Sequence, residues 1–445
     1  MPATLCAIGE RVVTHSAQGH LIHNTQVFSP DGRHIAFDSR NVETGLVTSA
    51  AIGMVNLLTG SETTLYQVAA PNPYGPGVGA ATFSPTRDEV IFIHGLDPAT
   101  ESKPYSPSRR TAAIVSIGNP GHMTRLDARD VSSPFTPGAL RGGTHAHQWS
   151  GDGKWISFTY NDAVIPPTGP APADLRTVGV IVRDLPVKVT DPMPTEEFSG
   201  LGYSVVVIPV TANPKPGSDE ISRAYEEGWV GSSGYQKPYG TRQAKAIAFI
   251  GNLMTRDGRS HSEVFIADLP EDLTRANPTG SLEGSPTTLP SPPAGVKIRR
   301  LTHTDSTPQP GLQGPRHWVR ASPDGSTIAF LDEDENGVVQ VFGISPNGGA
   351  PRQLSRFKQS VDCPFSWSPD GKRMACSVGK RIELLDPATG RSMTLTAEFP
   401  EGQEPRHGTS FSPDGSLIAF NRLLPHPAGG DFLQICVVEV PLRSK

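Results

Sequence analysis

The chain has 445 residues with 46 glycines, 44 prolines and only 19% charged residues, a composition that argues against a mainly helical protein and suits many short strands joined by turns. Its formal net charge of -5 comes from interspersed charges of both signs, with no basic stripe for a phosphate backbone and no polybasic run for a membrane surface. Neither nucleic acid nor membrane is expected as a partner, and without a secretory signal or an apolar stretch near the roughly 18 residues of a membrane span, the chain is expected in the cytoplasm.

One phrase recurs along the chain: an aromatic or small apolar residue, Ser-Pro-Asp-Gly or a variant, two further residues, then a short β run. It reads FSPDGRHIAF from Phe28, FSPTRDEVIF from Phe83, WSGDGKWISF from Trp149, ASPDGSTIAF from Ala321, WSPDGKRMAC from Trp367 and FSPDGSLIAF from Phe411. Pro and Asp suit the early positions of a hairpin turn, Gly supplies the positive φ that follows, and the flanking alternation buries every second side chain. Each copy is followed by a third strand-like run, at residues 51–57, 112–117, 178–185, 339–345, 381–386 and 433–440, and most by a fourth, such as 350–355 and 392–396. Four antiparallel strands per repeat is the blade of a β-propeller.

The interval between the Trp149 and Ala321 copies is about double the earlier ones, so a degenerate blade is expected there. Residues 203–211 read as its inner strand, 246–250 (AIAFI) as its second, 263–269 as its third and 297–302 as its fourth. A long insertion, 213–245, takes the place of the tight turn and carries a predicted short helix over 218–227, read as a structural or interaction flap at the opposite end from the histidines discussed below. That makes an all-β, seven-bladed propeller of four-stranded antiparallel blades, a single domain over residues 1–445. The last blade has three strands of its own, and ERVVTHS from Glu10 resembles the fourth strand IRRLTHT from Ile298, so the N-terminal strand is expected to close the ring.

The first strand of each blade lies innermost, so residues at equal offsets before the turn can be compared around the axis. Five before the turn Ser stand Asn24, Gly79, His145, His317, Cys363 and His407; three before it stand Gln26, Ala81, His147, Val319, Phe365 and Thr409. Arg316 and Arg406 each precede an offset histidine in the tripeptide Pro-Arg-His. Long loops at 40–50, 94–111, 130–144, 160–177 and 304–315 emerge at the same end and wall a concave mouth, the place to look for a ligand.

Two readings of these imidazoles stand side by side: His145, His317 and His407, with Gln26 or Asn24 as oxygen donor, converge on a divalent transition metal, or they hydrogen-bond water and backbone in a polar channel. Arg316 and Arg406 suit a planar carboxylate, or else salt bridges to the next blade. Arg110, Tyr160 and Asn24 stand where a substrate would be met, although loop arginines such as Arg109 and Arg110 also serve as solvated surface charges. Cys6, Cys363, Cys376 and Cys436 lack any metal-finger spacing and read as reduced structural thiols. No GxSxG elbow, phosphate loop or dinucleotide fingerprint is present.

The Ser-Pro-Asp-Gly repeats resemble the TolB-like propellers over nearly the whole chain. More narrowly, LRGGTHAHQWSGDGKWISFTYND from Leu140, PKPGSDEISRAYEEGWVG from Pro214 and PRHWVRASPDG from Pro315 resemble a family of bacterial TolB-like propeller proteins. In architecture the chain is distantly similar to the oligogalacturonate lyases, cytoplasmic seven-bladed propellers in which an axial histidine cluster holds manganese. That resemblance implies a manganese-dependent β-elimination of a uronate-containing oligosaccharide, with His145, His317, His407 and Gln26 on the metal, His147 as base and Arg316 or Arg406 as carboxylate clamp. The competing expectation is a non-catalytic propeller that binds a glycan or a protein partner at the same mouth.

Overall fold

A computed structural model describes residues 9–23, 25–165, 174–278 and 280–441. Seven antiparallel sheets succeed one another along the chain as the blades of a propeller, and helix is confined to two short 3-10 turns, Gly45–Thr48 and Pro238–Gly240. Each sheet runs from an innermost strand outward. Blade two, for example, orders Val78–Phe83, Glu89–Gly95, Arg110–Ser116 and Met123–Arg125. Blade one forms three regular strands, its inner segment joining only through isolated bridges of Leu21 to Asp38 and Phe28 to Ile35.

The repeated phrase folds the same way wherever its residues allow. In five blades the turn Ser donates its Oγ–H to the turn Asp Oδ1 at 2.6 Å, in the pairs Ser29–Asp31, Ser150–Asp152, Ser322–Asp324, Ser368–Asp370 and Ser412–Asp414. The same Ser Oγ then accepts the backbone N–H five residues on, as from His34 and Leu417, so one hydroxyl locks the hairpin. The glycine of the turn has the positive φ it was chosen for, 70° at Gly32 and 67° at Gly153.

Packing between blades rests on the second strands. Phe37, Phe92, Phe158, Phe249, Phe330 and Phe420 stand at one strand position, all buried, with Cys376 in their place in blade six. Full burial of each contributes roughly 2 to 3 kcal/mol. Gly53 and Gly179 face two of these rings so closely that a Cβ would meet Phe37 at 2.5 Å and Phe158 at 2.3 Å. Glu10–Val12 pairs with Asp431–Glu439, so the N-terminal strand closes blade seven as expected, and the buried Glu10 carboxylate accepts from Arg422 at 2.7 Å across the seam.

Blade four departs from the sequence reading. Residues 218–227 form no helix: Arg223–Trp229 is the innermost strand of that blade, paired with Ala246–Met254. Gly200–Val206, which overlaps the expected inner strand 203–211, is the fourth strand of blade three. Ala, Glu and Glu favour a helix locally, but Ala224, Glu226 and Glu227 are all buried in the ring, and tertiary pairing overrides propensity. What remains of the expected insertion is a small hairpin, Tyr235–Gln236 against Arg242–Gln243. Glu226 therefore lies on the axis at the histidine end, not on a distant flap.

A second departure sets the site. The innermost strands of blades two, three, four and seven carry a β-bulge, with register shifts between Gly79 and Thr82, His145 and Gln148, Tyr225 and Gly228, and Arg406 and Thr409. Each bulge holds one residue in the left-handed region, φ 55° at Ala80, 57° at Ala146, 52° at Glu226 and 64° at His407. One extra residue sends the side chains before and after it to different sides of the strand. Residues at offsets of five and three therefore do not share a face, contrary to the spacing argument.

Candidate active site at the histidine mouth

The end of the channel opposite the Ser-Pro-Asp-Gly turns opens into a cavity of about 650 Å³. His145, His407, Arg110, Arg316 and Arg406 all line it, together with His23, Arg40, Glu43, Tyr105, Trp318 and Cys363. Five of the expected site residues thus share one mouth, contributed by blades two, three, five and seven.

The others do not. His317 is buried outside the mouth with both ring nitrogens committed: Nδ1 donates to Pro315 O at 2.9 Å and Nε2 accepts the Leu331 N–H at 3.0 Å. Blade five pairs regularly only from Arg320, so the chain before it follows a different path from blades three and seven. His147, displaced by the bulge, is fully buried; its Nε2 lies 3.0 Å from Thr144 Oγ1, which donates to Asp127 at 2.7 Å. Tyr160 is buried and donates to Asp162 Oδ2 at 2.9 Å, an oxygen that also accepts from Arg141 at 2.8 Å. Gln26 sits at the other mouth, where its side-chain amide exchanges two hydrogen bonds with the Trp149 backbone at 2.8 and 2.9 Å. Asn24 lies outside the described residues.

This geometry does not bring the expected metal ligands together. With Nδ1 donating and Nε2 accepting, His317 has no lone pair to offer, and Gln26 belongs to the opposite end. Among the described residues, three His, Cys, Asp or Glu ligand atoms come within 4.8 Å of one another only at His261, Glu263 and Asp305, on the rim of blade four. There Arg300 already bridges the two carboxylates at 2.7 and 2.5 Å, and Glu263 Oε1 takes two further donors from Thr304, each at 2.7 Å. Glu263 Oε1 is thereby saturated, whereas the ring nitrogens of the buried His261 make no hydrogen bond among the described residues, so the group is an ion-pair network with an imidazole beside it, away from the histidine mouth.

Two arginines of the mouth, Arg40 and Arg316, are paired with carboxylates, and among its buried arginines Arg110 is the exception. Arg40 makes a bidentate bond to buried Asp38, both contacts at 2.7 Å. Arg316 stacks over Trp318, its guanidinium carbon 4.6 Å from the ring centre, and gives Nε to Glu226 and Nη1 to Glu43, each at 2.7 Å. Arg109 holds Glu196 at 2.6 Å. Its neighbour Arg110 is more deeply buried and has no carboxylate: Nη1 reaches Tyr105 Oη at 3.0 Å, while Nε and Nη2 find no hydrogen-bond partner among the described residues. A buried guanidinium with two idle donors is costly, because the water it gave up has not been replaced.

Its field is felt by the imidazoles. Burial first and then Arg110 hold His145 well below the usual histidine range, and burial followed by Arg320 and Arg40 takes His23 down to about 3. Both rings are neutral at pH 7 and carry a lone pair. Glu43, which faces His407 at 3.8 Å, is held down to about 2, by His407 foremost and then by Arg316.

Sequence reasoning missed His23, Arg40, Glu43, Tyr105, Trp318 and Glu226. Glu43 and Tyr105 belong to loops already marked as mouth walls, but no periodicity in a loop says which side chains turn inward. Glu226 was hidden by the helix assignment.

A family model described as a protein of unknown function, DUF3748, matches residues 77–197, the stretch that carries Arg110 and His145. The chain is 40% identical to the uncharacterized protein YidR of Escherichia coli strain K12 over 92% of its own length and 94% of that protein's. Among solved structures it is similar to an oligogalacturonate lyase from Vibrio parahaemolyticus, with TM-score 0.51, 12% identity and coverage of 97% and 93% of the two chains. It is likewise similar to a puromycin hydrolase mutant, with TM-score 0.50 and 13% identity; 95% of this chain is covered but only 52% of the hydrolase, so it spans about half of that enzyme. At these identities the two enzymes share a fold with this chain.

Proposed function

We propose that this chain, which belongs to the family of the Escherichia coli protein YidR, binds an acidic sugar at the histidine mouth and cleaves it by β-elimination. One observation carries the reading: Arg110 is buried against the mouth with Nε and Nη2 unpartnered. With the guanidinium turned toward the cavity it lines, a planar carboxylate accepting those two hydrogens would satisfy both donors at once and neutralise a charge that the fold leaves uncompensated.

Around that point the mouth supplies what the reaction requires. Trp318 and Tyr105 offer apolar faces to a sugar ring, with Leu21, Leu46 and Ile93 behind them. Holding the uronate carboxylate at Arg110 spreads the charge that develops when the proton on the adjacent carbon is removed. His145 is the base, since it is neutral, lines the mouth and lies in the field of Arg110. Burial first and then Arg110 make it a poor base while the mouth is empty. Once a ligand carboxylate cancels that charge, imidazolium becomes tolerable, so the substrate itself raises the basicity of the group that attacks it. The electron pair of the broken C–H bond forms the new double bond and the glycosidic oxygen leaves, protonated by the Tyr105 hydroxyl, whose oxygen accepts from Arg110 and whose own hydrogen remains to be donated. A cytoplasmic, acidic oligosaccharide is the substrate class this reading names.

The test is direct. Incubation with oligogalacturonate is expected to give an unsaturated product absorbing near the ultraviolet edge, and Arg110→Met is expected to abolish it. If acidic oligosaccharides bind no better to the parent than to Arg110→Met, the reading is wrong at its base. If they bind and no product forms, the mouth is a binding site without this chemistry.

A further inference from the structure

The loop that follows Asp38 reaches across the mouth. It carries Glu43 from blade one to Arg316 on blade five, at 2.7 Å from Nη1, and to His407 on blade seven, at 3.8 Å from Nδ1. The loop is tied at its base, where Arg40 Nη1 donates to the Glu43 carbonyl at 2.8 Å. The carboxylate itself has no such tie to its own blade. Its two charged partners belong to other blades, Arg316 across the channel on blade five and His407 on the adjoining blade seven.

Two carboxylates therefore share Arg316. Glu226, with its side chain 5% exposed, is part of the blade-four strand and takes Nε; Glu43, 49% exposed, takes Nη1. Glu226 alone is enough to compensate the guanidinium, so Glu43 is a second anion on a cation already paired. Beside it, Arg406 lines the same mouth and has only the Gly402 carbonyl, at 3.2 Å, as a hydrogen-bond partner. Arg316 and His407 thus hold a carboxylate supplied by the protein's own loop, with Arg406 on the wall of the same mouth. A carboxylate from a ligand could take the same donors in the same geometry, and the exchange would cost little because like replaces like.

We infer that Glu43 is an internal occupant of a second acid position in this mouth, and that a ligand's second carboxylate displaces it, so the site selects chains with at least two acidic units over single ones. The inference rests on the reading of Arg110 as the first acid position. In the displaced state the loop remains anchored through Arg40, and the Glu43 side chain turns to the solvent that already reaches half of it.

Titration calorimetry with galacturonate and with digalacturonate tests it, on the full chain carrying His145→Gln so that nothing turns over, with and without Glu43→Gln. Removing the charge of Glu43 is expected to tighten digalacturonate about tenfold and to change galacturonate less than about threefold. Glu43→Ala, which cannot hydrogen-bond Arg316 at all, is expected to act in the same direction. The inference is overturned if the dimer binds the Glu43 variants equally or more weakly, or if the monomer gains as much as the dimer. Arg110→Met in the same background separates the two claims: if it weakens both acids while the Glu43 variants leave the dimer unchanged, only the exchange fails; if it weakens neither, the first acid position fails too.

Discussion

His145 and His317 occupy the same place in the repeat, five residues before the turn Ser of blades three and five, and they have opposite fates. The His145 strand is paired from Gly142 onward and bulges just after the histidine, leaving the ring on the wall of the mouth. In blade five the pairing begins only at Arg320, and His317 turns back to join its own blade through Pro315 O and Leu331 N–H. A repeat therefore specifies the strand and its turn, while the face a residue presents depends on whether a bulge intervenes.

Exchanging each histidine should separate the two roles. His145→Gln is expected to lower turnover of an acidic oligosaccharide by roughly 10² to 10⁴. Binding measured by calorimetry should be nearly unchanged, and the fold too, since among the described residues the ring's hydrogen bond is to Thr159 Oγ1, a long one at 3.4 Å. A parallel loss of binding and turnover would remove His145 from the chemistry.

His317→Ala should do the reverse. It empties a buried site and strands the Leu331 N–H and the Pro315 carbonyl, which together cost about 2 to 4 kcal/mol in urea unfolding, while the folded fraction keeps its ligand affinity. The pH dependence follows from the same burial. His317 is held down to about 4 in the folded chain, against 6.5 when unfolded, mainly by burial. Between those values the unfolded chain binds more protons, so this residue makes stability fall as pH drops from 6.5 towards 4, by roughly 3 kcal/mol in all. His317→Gln is expected to flatten that part of the stability profile. A profile as steep as the parent's would show that His317 is not the group responsible.

Arg109 and Arg110 extend the comparison to adjacent residues. Arg110→Met is expected to weaken a carboxylate ligand roughly 10- to 150-fold, the loss of one charge-assisted pair, and to leave the melting temperature equal or higher because two unpartnered buried donors disappear. Arg109→Met breaks a real pair with Glu196 and should lower stability by about 1 kcal/mol without touching affinity. Equal effects of the two substitutions on affinity would mean that the mouth responds to overall charge and not to Arg110.

How far the chain could be read without coordinates follows from the same physics. The turns, the second and third strands, the seven blades and the closing strand are local patterns of period two punctuated by Ser-Pro-Asp-Gly, and they were legible because each blade repeats them. Arg110, Arg316, Arg406, His145 and His407 were found because an equal offset or a long loop placed them at one end. His147, His317 and Gln26 were misplaced because the offset argument assumes an unbroken pleat. Arg223–Trp229 was misread because its inward face is made of Glu226 and Glu227, acids that no hydrophobic pattern assigns to a core.

Gln26 gives the smallest effect and the cleanest control. It was expected at the metal, yet it lies at the turn end of the channel, where it reaches from blade one to the Trp149 backbone on blade three. Its φ of 52° is set by the backbone and is no worse for alanine than for glutamine. Gln26→Ala therefore removes two side-chain hydrogen bonds and little else. Because the freed Trp149 N–H and carbonyl are left beside a solvent-reached cavity, the cost should be about 1 kcal/mol and not the larger penalty of a sealed site. Gln26→Gly loses the same bonds but accepts the positive φ freely, so it should be no less stable than the alanine variant. Neither should change the affinity for an acidic ligand at the other mouth. A loss of affinity in both, at unchanged fold, would mean that the two ends of the channel are coupled through the innermost strands, and the histidine mouth could then no longer be treated as a site on its own.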